Sequence, residues 1–246
     1  WRFRKGEAEG TPYAVDYDDT DWEVVSVPHG LEYLPMEASG CANYQGVAWY
    51  RKHFTPADSL KGKQLFVQFE GIMGKSEVYV NGSLVKKHYG GYLPVIVDVS
   101  TLLKFGEENV IAVKADNSDD PTYPVGKEQS MLDFTYFGGI YRDCWLVAHN
   151  AVFITNANYE NEVAGGGLFV SYDKVSEAQA TVNLKAHVRN ASGKNCRVTV
   201  CFALKTPQGK VVKETEKKLS LKNGKAAHTT ASMVVGSPSL WSPESP

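Results

Sequence analysis

The chain has 246 residues, 43% of them apolar, and a formal net charge of -2 from 26 Lys and Arg against 28 Asp and Glu. That length supports one large or two ordinary domains with a real hydrophobic core. Balanced charge without a Lys/Arg block leaves no clustered basic face for phosphate, which argues against nucleic acid as a partner. No apolar run approaches the roughly 18 residues that cross a bilayer, so no membrane partner is expected either.

Helical periodicity is nearly absent. In chain order, GVAWYRKHF (46–54), KQLFVQFEG (63–71), KSEVYVNGSLV (75–85) and NVIAVKADN (109–117) read as short strands bounded by turn residues. Leu65, Val67 and Phe69 share one face, and Asn81-Gly82 supplies the two positive φ angles of a tight hairpin. Two long loops, 29–45 and 116–132, sit among these strands, where binding residues usually collect. Next comes LDFTYFGGIYRDCWL (132–146), which crowds aromatic residues around Gly138-Gly139 and Arg142-Asp143. Alternation there buries Ile140, and the glycine pair permits a turn that projects the preceding loop outward. An α/β barrel is excluded, because its eight long helices have no counterpart.

Around residues 149–154 the texture changes to regular strands joined by short turns. A second domain is expected from Val152. Its strands NLKAHVRN, CRVTVCFALK, KVVKETEKKLSL and KAAHTTASMVV predict a meander of the kind that builds an immunoglobulin-like sandwich, although the Cys-Trp-Cys signature of antibody domains is missing. The fold class is therefore all-β, with domains at 1–151 and 152–246.

Asp116, Asp119, Asp120 and Asp133 are the acidic candidates for chemistry. Glycoside hydrolysis needs two carboxylates about 5–5.5 Å or about 6.5–9.5 Å apart, and sequence spacing fixes neither distance. In DNSDDP, aspartate more commonly bonds its own backbone turn. His29 is a candidate base, or a loop histidine held by backbone groups. Arg142 and Asp143 are expected to pair or to bond backbone. The four cysteines lack C-x-x-C spacing and read as free, mostly buried thiols. Cys196 and Cys201 have opposite parity on one strand and should face opposite ways. On these residues alone, a carbohydrate-binding module or an accessory region of a larger enzyme leads, ahead of a purely structural interaction protein.

FGGIYRDCWL resembles the G-[IVA]-[YF]-R-[DN]-x-x-L signature in the N-terminal sugar-binding domain of family 2 glycoside hydrolases. The ordered motifs WRF, DYDDTDWEVVSVPHG, YQGVAWYRKHF, EVYVNGSLV, GGYLPVIVDVS and ENVIAVKADNS resemble that domain throughout residues 1–149. The second half, ending in SLWSPESP, is similar to the family's immunoglobulin-like domain, and DFTYFGGIYRD looks most like β-galactosidases.

The resemblance implies a jelly-roll sandwich over 1–151, then an immunoglobulin-like sandwich over 152–246 expected to lack its last strand. It further implies a C-terminal (β/α)8 catalytic barrel as the chain's own partner, carbohydrate as ligand, and a parent that can form homo-oligomers. The acid/base and the nucleophile are glutamates of that barrel, so no residue here is carried over as catalytic. Accessory domains of a β-glucuronidase or β-mannosidase are the alternative. By position, Asp133 matches an aspartate that contacts the galactosyl group and a sodium ion, and it is the site expected for a monovalent cation in the parent; no other cofactor is expected. Asn43 and His29 are weaker substrate contacts, since Pro28-His29-Gly30 replaces the family's PHD. The start at Trp1, without Met or a leader, carries no targeting information. A bacterial periplasmic or secreted location is favoured over a cytoplasmic one.

Overall fold

The computed structural model describes residues 1–32, 43–123, 126–132 and 137–244. They form two compact units, Trp1–Ala148 and His149–Pro246. As the alternating runs predict, almost every described element is a strand.

The first unit contains β1 (Arg2–Lys5), β2 (Glu23–Val24), β3 (Val47–Phe54), β4 (Gln64–Phe69), β5 (Lys75–Val80), β6 (Ser83–Tyr89), β7 (Val95–Asp98), β8 (Asn109–Asp116) and β9 (Cys144–His149). One sheet has the order β2-β1-β3-β8-β5-β6 and the other β7-β4-β9. Leu65, Val67 and Phe69 share a face, as alternation requires, and pack with Tyr50, Val78, Val113 and Ile140 in one core. Asn81 and Gly82 turn the β5–β6 hairpin with φ of 49° and 83°.

The outer face of the larger sheet is covered as well. Trp49, Tyr79 and Ala112 point away from the main core and pack with Trp22 in a second apolar cluster. The covering segment is fastened by Arg51, whose side chain is fully buried. Its Nε donates to Asp19 Oδ2 at 2.7 Å, Nη1 donates to the carbonyls of Pro12 and Ala14, and Nη2 donates to Tyr17 O at 3.3 Å. A planar guanidinium suits this task, because its donors diverge in one plane toward several acceptors. His53 Nε2 lies 2.9 Å from the same Asp19 oxygen. Burial alone would raise the Asp19 pKa, but the bonds from His53 and Arg51 outweigh it and hold the carboxyl below its ordinary range.

The second unit contains β10 (Val152–Ile154), the single turn α1 (Ala157–Glu160), β11 (Leu168–Asp173), β12 (Gln179–Asn190), β13 (Cys196–Lys205), β14 (Val211–Leu221) and β15 (Ala226–Gly236). Here the expected meander is corrected. β13 and β14 do form a hairpin, but β12 pairs with β15 from Gln179↔Gly236 to Arg189↔Ala226, and with β10 and β11 on its other side. The chain thus leaves one sheet after β12 and returns to it at β15, which lets Ala186, Val188, Val200, Phe202 and Met233 close a core between sheets. A flat meander would leave those faces wet.

The thiol expectation is also corrected. Cys144, Cys196 and Cys201 are free, but they are not mostly buried: Cys201 is exposed and the other two are half-buried. Parity explains the difference on β13. Cys196 packs against the core, whereas Cys201 faces out opposite Glu216, to whose carboxylate its thiol donates at 3.5 Å. Burial pushes the Cys144 thiol up to about 12.

Two expectations about stability follow. Arg51→Met leaves Asp19 to His53 and strips the donors from Pro12, Ala14 and Tyr17, and removing one partner of a buried ion pair costs about 3–5 kcal/mol. Urea unfolding should show a loss of that size in the first unit; a loss below about 1 kcal/mol would mean water replaces the guanidinium. The second concerns pH. Burial lowers the pKa of His29, His88, His149 and His187, so the unfolded chain binds more protons than the folded one below the ordinary histidine value of about 6.5. Stability should therefore be full above that value and fall as pH drops through it. Thermal melting at pH 7.5 and pH 5 should show the lower Tm at pH 5, and an equal or higher Tm there would contradict the burial account.

Candidate functional site

The long loops of the first unit meet where β8 ends. Asn117 follows that strand directly and is 4% exposed. Its side-chain Oδ1 accepts from Gly46 N at 2.9 Å, and its Nδ2 donates to Tyr44 O at 2.8 Å. Its backbone N donates to Gly46 O at 3.3 Å, and its carbonyl accepts from Gln129 Nε2 at 2.9 Å. One residue therefore ties the segment carrying Asn43 to the segment that leads into residue 133.

Gly138-Gly139 completes the junction. Leu31 N donates to Gly138 O, His29 N to Ile140 O, and Met73 N to Gly139 O. Gly139 has φ +93°, and a Cβ on it would lie 2.3 Å from Tyr50 Oη; a Cβ on Gly138 would lie 2.6 Å from Asn117 Nδ2. Both positions exclude side chains. Ile140 is fully buried, as the alternation predicts.

Among the described acidic candidates, Asp116 and Asp120 build turns and Asp119 ties the loop to Gln129. Asp116 Oδ1 accepts from Ser118 N and Oγ at 2.9 and 2.6 Å, while its other oxygen lies 3.1 Å from Lys75 Nζ. Burial would raise its pKa, but Ser118 and Lys75 keep the carboxyl ionised below the usual range. Asp120 accepts from Thr122 N at 2.9 Å, and Asp119 accepts from Gln129 N at 3.1 Å. A hollow of about 20 Å³ lies between Met73, Asn117, Asp119 and Gln129, enough for one water. The buried Gln129 Oε1 has no hydrogen-bond partner among the described residues.

His29 is 8% exposed, its ring edge-on to Phe3 at 4.5 Å and its Nδ1 3.0 Å from Tyr50 Oη. Burial lowers its pKa. The ring belongs to the core, and the backbone bond to Ile140 is the hold that a loop histidine was expected to have. Asn43 is half-buried beside Tyr44. Asp133 lies outside the described residues. Arg142 and Asp143 do not pair with each other: the guanidinium lies 5.7 Å from the Tyr141 ring centre, and the Asp143 carbonyl accepts from Glu70 N at 2.9 Å. Sequence reading missed Asn117 and Arg51. An asparagine placed after a strand and opening a long loop was the available signal for Asn117; for Arg51 the strand pattern gave none.

Residues 15–150 match the family profile described as "Glycosyl hydrolases family 2, sugar binding domain", and residues 166–246 match "Glycosyl hydrolases family 2". A β-galactosidase of Bacteroides ovatus is 32% identical over 255 residues, an alignment covering 100% of this chain and 28% of that protein. A β-glucuronidase of Formosa agariphila is 29% identical over 253 residues, covering 98% of this chain and 26% of that protein. Among solved structures, a Bacteroides uniformis β-glucuronidase superposes with a TM-score of 0.86 at 30% identity, covering 100% of this chain and 28% of that one. The chain thus spans little more than a quarter of the length of the relatives it matches.

The glycine junction makes a direct prediction. Gly139→Ala forces a Cβ against Tyr50 and an alanine into the left-handed region, each a penalty of about 1–3 kcal/mol. Denaturant titration should show the combined loss in the first unit, while the same substitution at Gly193, where a Cβ meets nothing, should show only the backbone part. Equal losses at the two sites would remove Tyr50 from the account.

Proposed function

This chain belongs to glycosyl hydrolase family 2, and from that premise we propose that it is the non-catalytic N-terminal portion of a β-galactosidase-like glycosidase. The observation that carries the proposal is the match of both domains in series to little more than a quarter of the length of glycosidases roughly four times longer. In this reading the sandwich supports the chain's own (β/α)8 barrel, and the loops joined at Asn117 and Gly138 lend one wall to its substrate pocket. Carbohydrate is the ligand. Asp133 accepts a hydrogen bond from a sugar hydroxyl or coordinates a monovalent cation, oxygen chemistry that suits a carboxylate. Asn43 stands across the junction as a second contact. His29 acts through its backbone only, because its ring is buried.

A β-glucuronidase activity is the second reading, favoured by the similarity to β-glucuronidases in both sequence and structure. The substrates differ in the configuration at C4 and by a carboxylate in place of the C6 hydroxymethyl group, so paired assays on the two separate the readings. The full-length protein is expected to hydrolyse an aryl β-galactoside faster than the matching β-glucuronide, and residues 1–246 alone should hydrolyse neither. The reverse preference selects the second reading, and turnover by the isolated fragment that survives repurification overturns the non-catalytic role. Asp133→Ala in the full-length protein removes a bond to a charged group, worth about 1.5–3 kcal/mol, and should lower kcat/KM by about one to two orders of magnitude at unchanged Tm. An unchanged kcat/KM would place Asp133 outside the pocket.

A further inference from the structure

Asn117 has an unusual burden for a residue in a turn-rich segment. It is buried, and its backbone N–H, backbone carbonyl, side-chain oxygen and side-chain amide are all engaged. Three of those bonds go to Tyr44 and Gly46, so the Asn117 amide substitutes for a strand partner that this segment lacks. The fourth goes to Gln129, whose backbone N–H is also held by Asp119 at 3.1 Å. From the other side Gly138 approaches so closely that any Cβ would strike the Asn117 amide. Segments 43–46, 126–132 and 137–140 therefore meet at a single residue at the end of β8, whose side chain holds 43–46 and touches Gly138 and whose backbone carbonyl holds Gln129.

We propose that Asn117 is a positioning residue for sugar recognition: it sets the spacing between the segment that presents Asn43 and the segments that flank Asp133. This rests on the reading that these loops wall the substrate pocket. The chemistry demands asparagine in particular. Oδ1 must accept from Gly46 while Nδ2 donates to Tyr44, and no other side chain of that length offers both. Aspartate keeps the first bond and sets an oxygen against the Tyr44 carbonyl in place of the second. A misplacement of about 1 Å remote from the chemistry can cost on the order of a hundredfold in rate.

The test compares Asn117→Asp with wild type in the full-length protein, following both aryl β-glycoside hydrolysis and amide hydrogen exchange. The expected result is a fall in kcat/KM of about tenfold to a hundredfold well below Tm, faster exchange at the Tyr44 amide, whose bond to Glu32 Oε2 depends on the placement of that segment, and unchanged exchange in β3, β5 and β8. Gln129→Met, which removes the bond on one side only, should give a smaller change in the same direction, and the double variant should fall short of the sum. Wild-type kcat/KM in Asn117→Asp, or a loss matched by faster exchange throughout the sheet, overturns the positioning role. If the wild-type protein hydrolyses no aryl β-glycoside, the functional reading fails instead, and unchanged Tyr44 exchange in the variant overturns the positioning role.

Discussion

The close approach of backbone at Gly138-Gly139 is the constraint on which the loop end of the first domain depends. Gly139 sits at φ +93° with no room for a Cβ against Tyr50, and Gly138 lies on the Asn117 amide. Tyr50 belongs to β3, at the centre of the main core, so the loop is referenced to the most rigid part of the domain. Its hydroxyl also meets His29, whose backbone bonds Ile140. A glycine pair, a tyrosine hydroxyl and an asparagine amide thus convert sheet geometry into loop geometry.

That arrangement needs a sheet that does not yield, and Arg51 explains why this one does not. Most sandwiches leave one face of each sheet to water. Here the segment before β2 closes the outer face of the six-stranded sheet over Trp49 and Tyr79, and Arg51 holds it by four bonds to Asp19 and three backbone carbonyls. An ion pair buried this completely contributes little net stability beside apolar replacement of both partners, although removing either one alone is costly. What it supplies is a fixed path for an irregular segment whose carbonyls would otherwise lack donors.

Much of this was legible in the sequence because it is local. Alternation identified the strands, Asn81-Gly82 the hairpin, and the parity of Cys196 and Cys201 their opposite directions. DNSDDP behaves as turn chemistry predicts, with Asp116 and Asp120 bonding residues two positions on. What was not legible depends on partners distant in sequence. Arg51 alternates with Tyr50 as an ordinary solvent-facing charge would, and only the segment laid over it makes it a buried clamp. Asn117 read as one more turn residue, since its partners at 44, 46 and 129 are unknown until the loops are placed. The pairing of β12 with β15 could not be distinguished from a meander, because both bury the same alternating residues and differ only in which backbone edges meet.

In the proposed intact enzyme the described loops stand beside a sugar. The most direct measurement is a crystal structure of the full-length protein with a non-hydrolysable glycoside bound. The account predicts a sugar hydroxyl about 3 Å from a polar atom of residues 43–46 or of the segment through Asp133, with Asn117 still bonded to Tyr44 and Gly46. A glycoside seated with no atom of residues 43–46 or 126–140 within about 4.5 Å would contradict it, and would leave these domains a scaffold only.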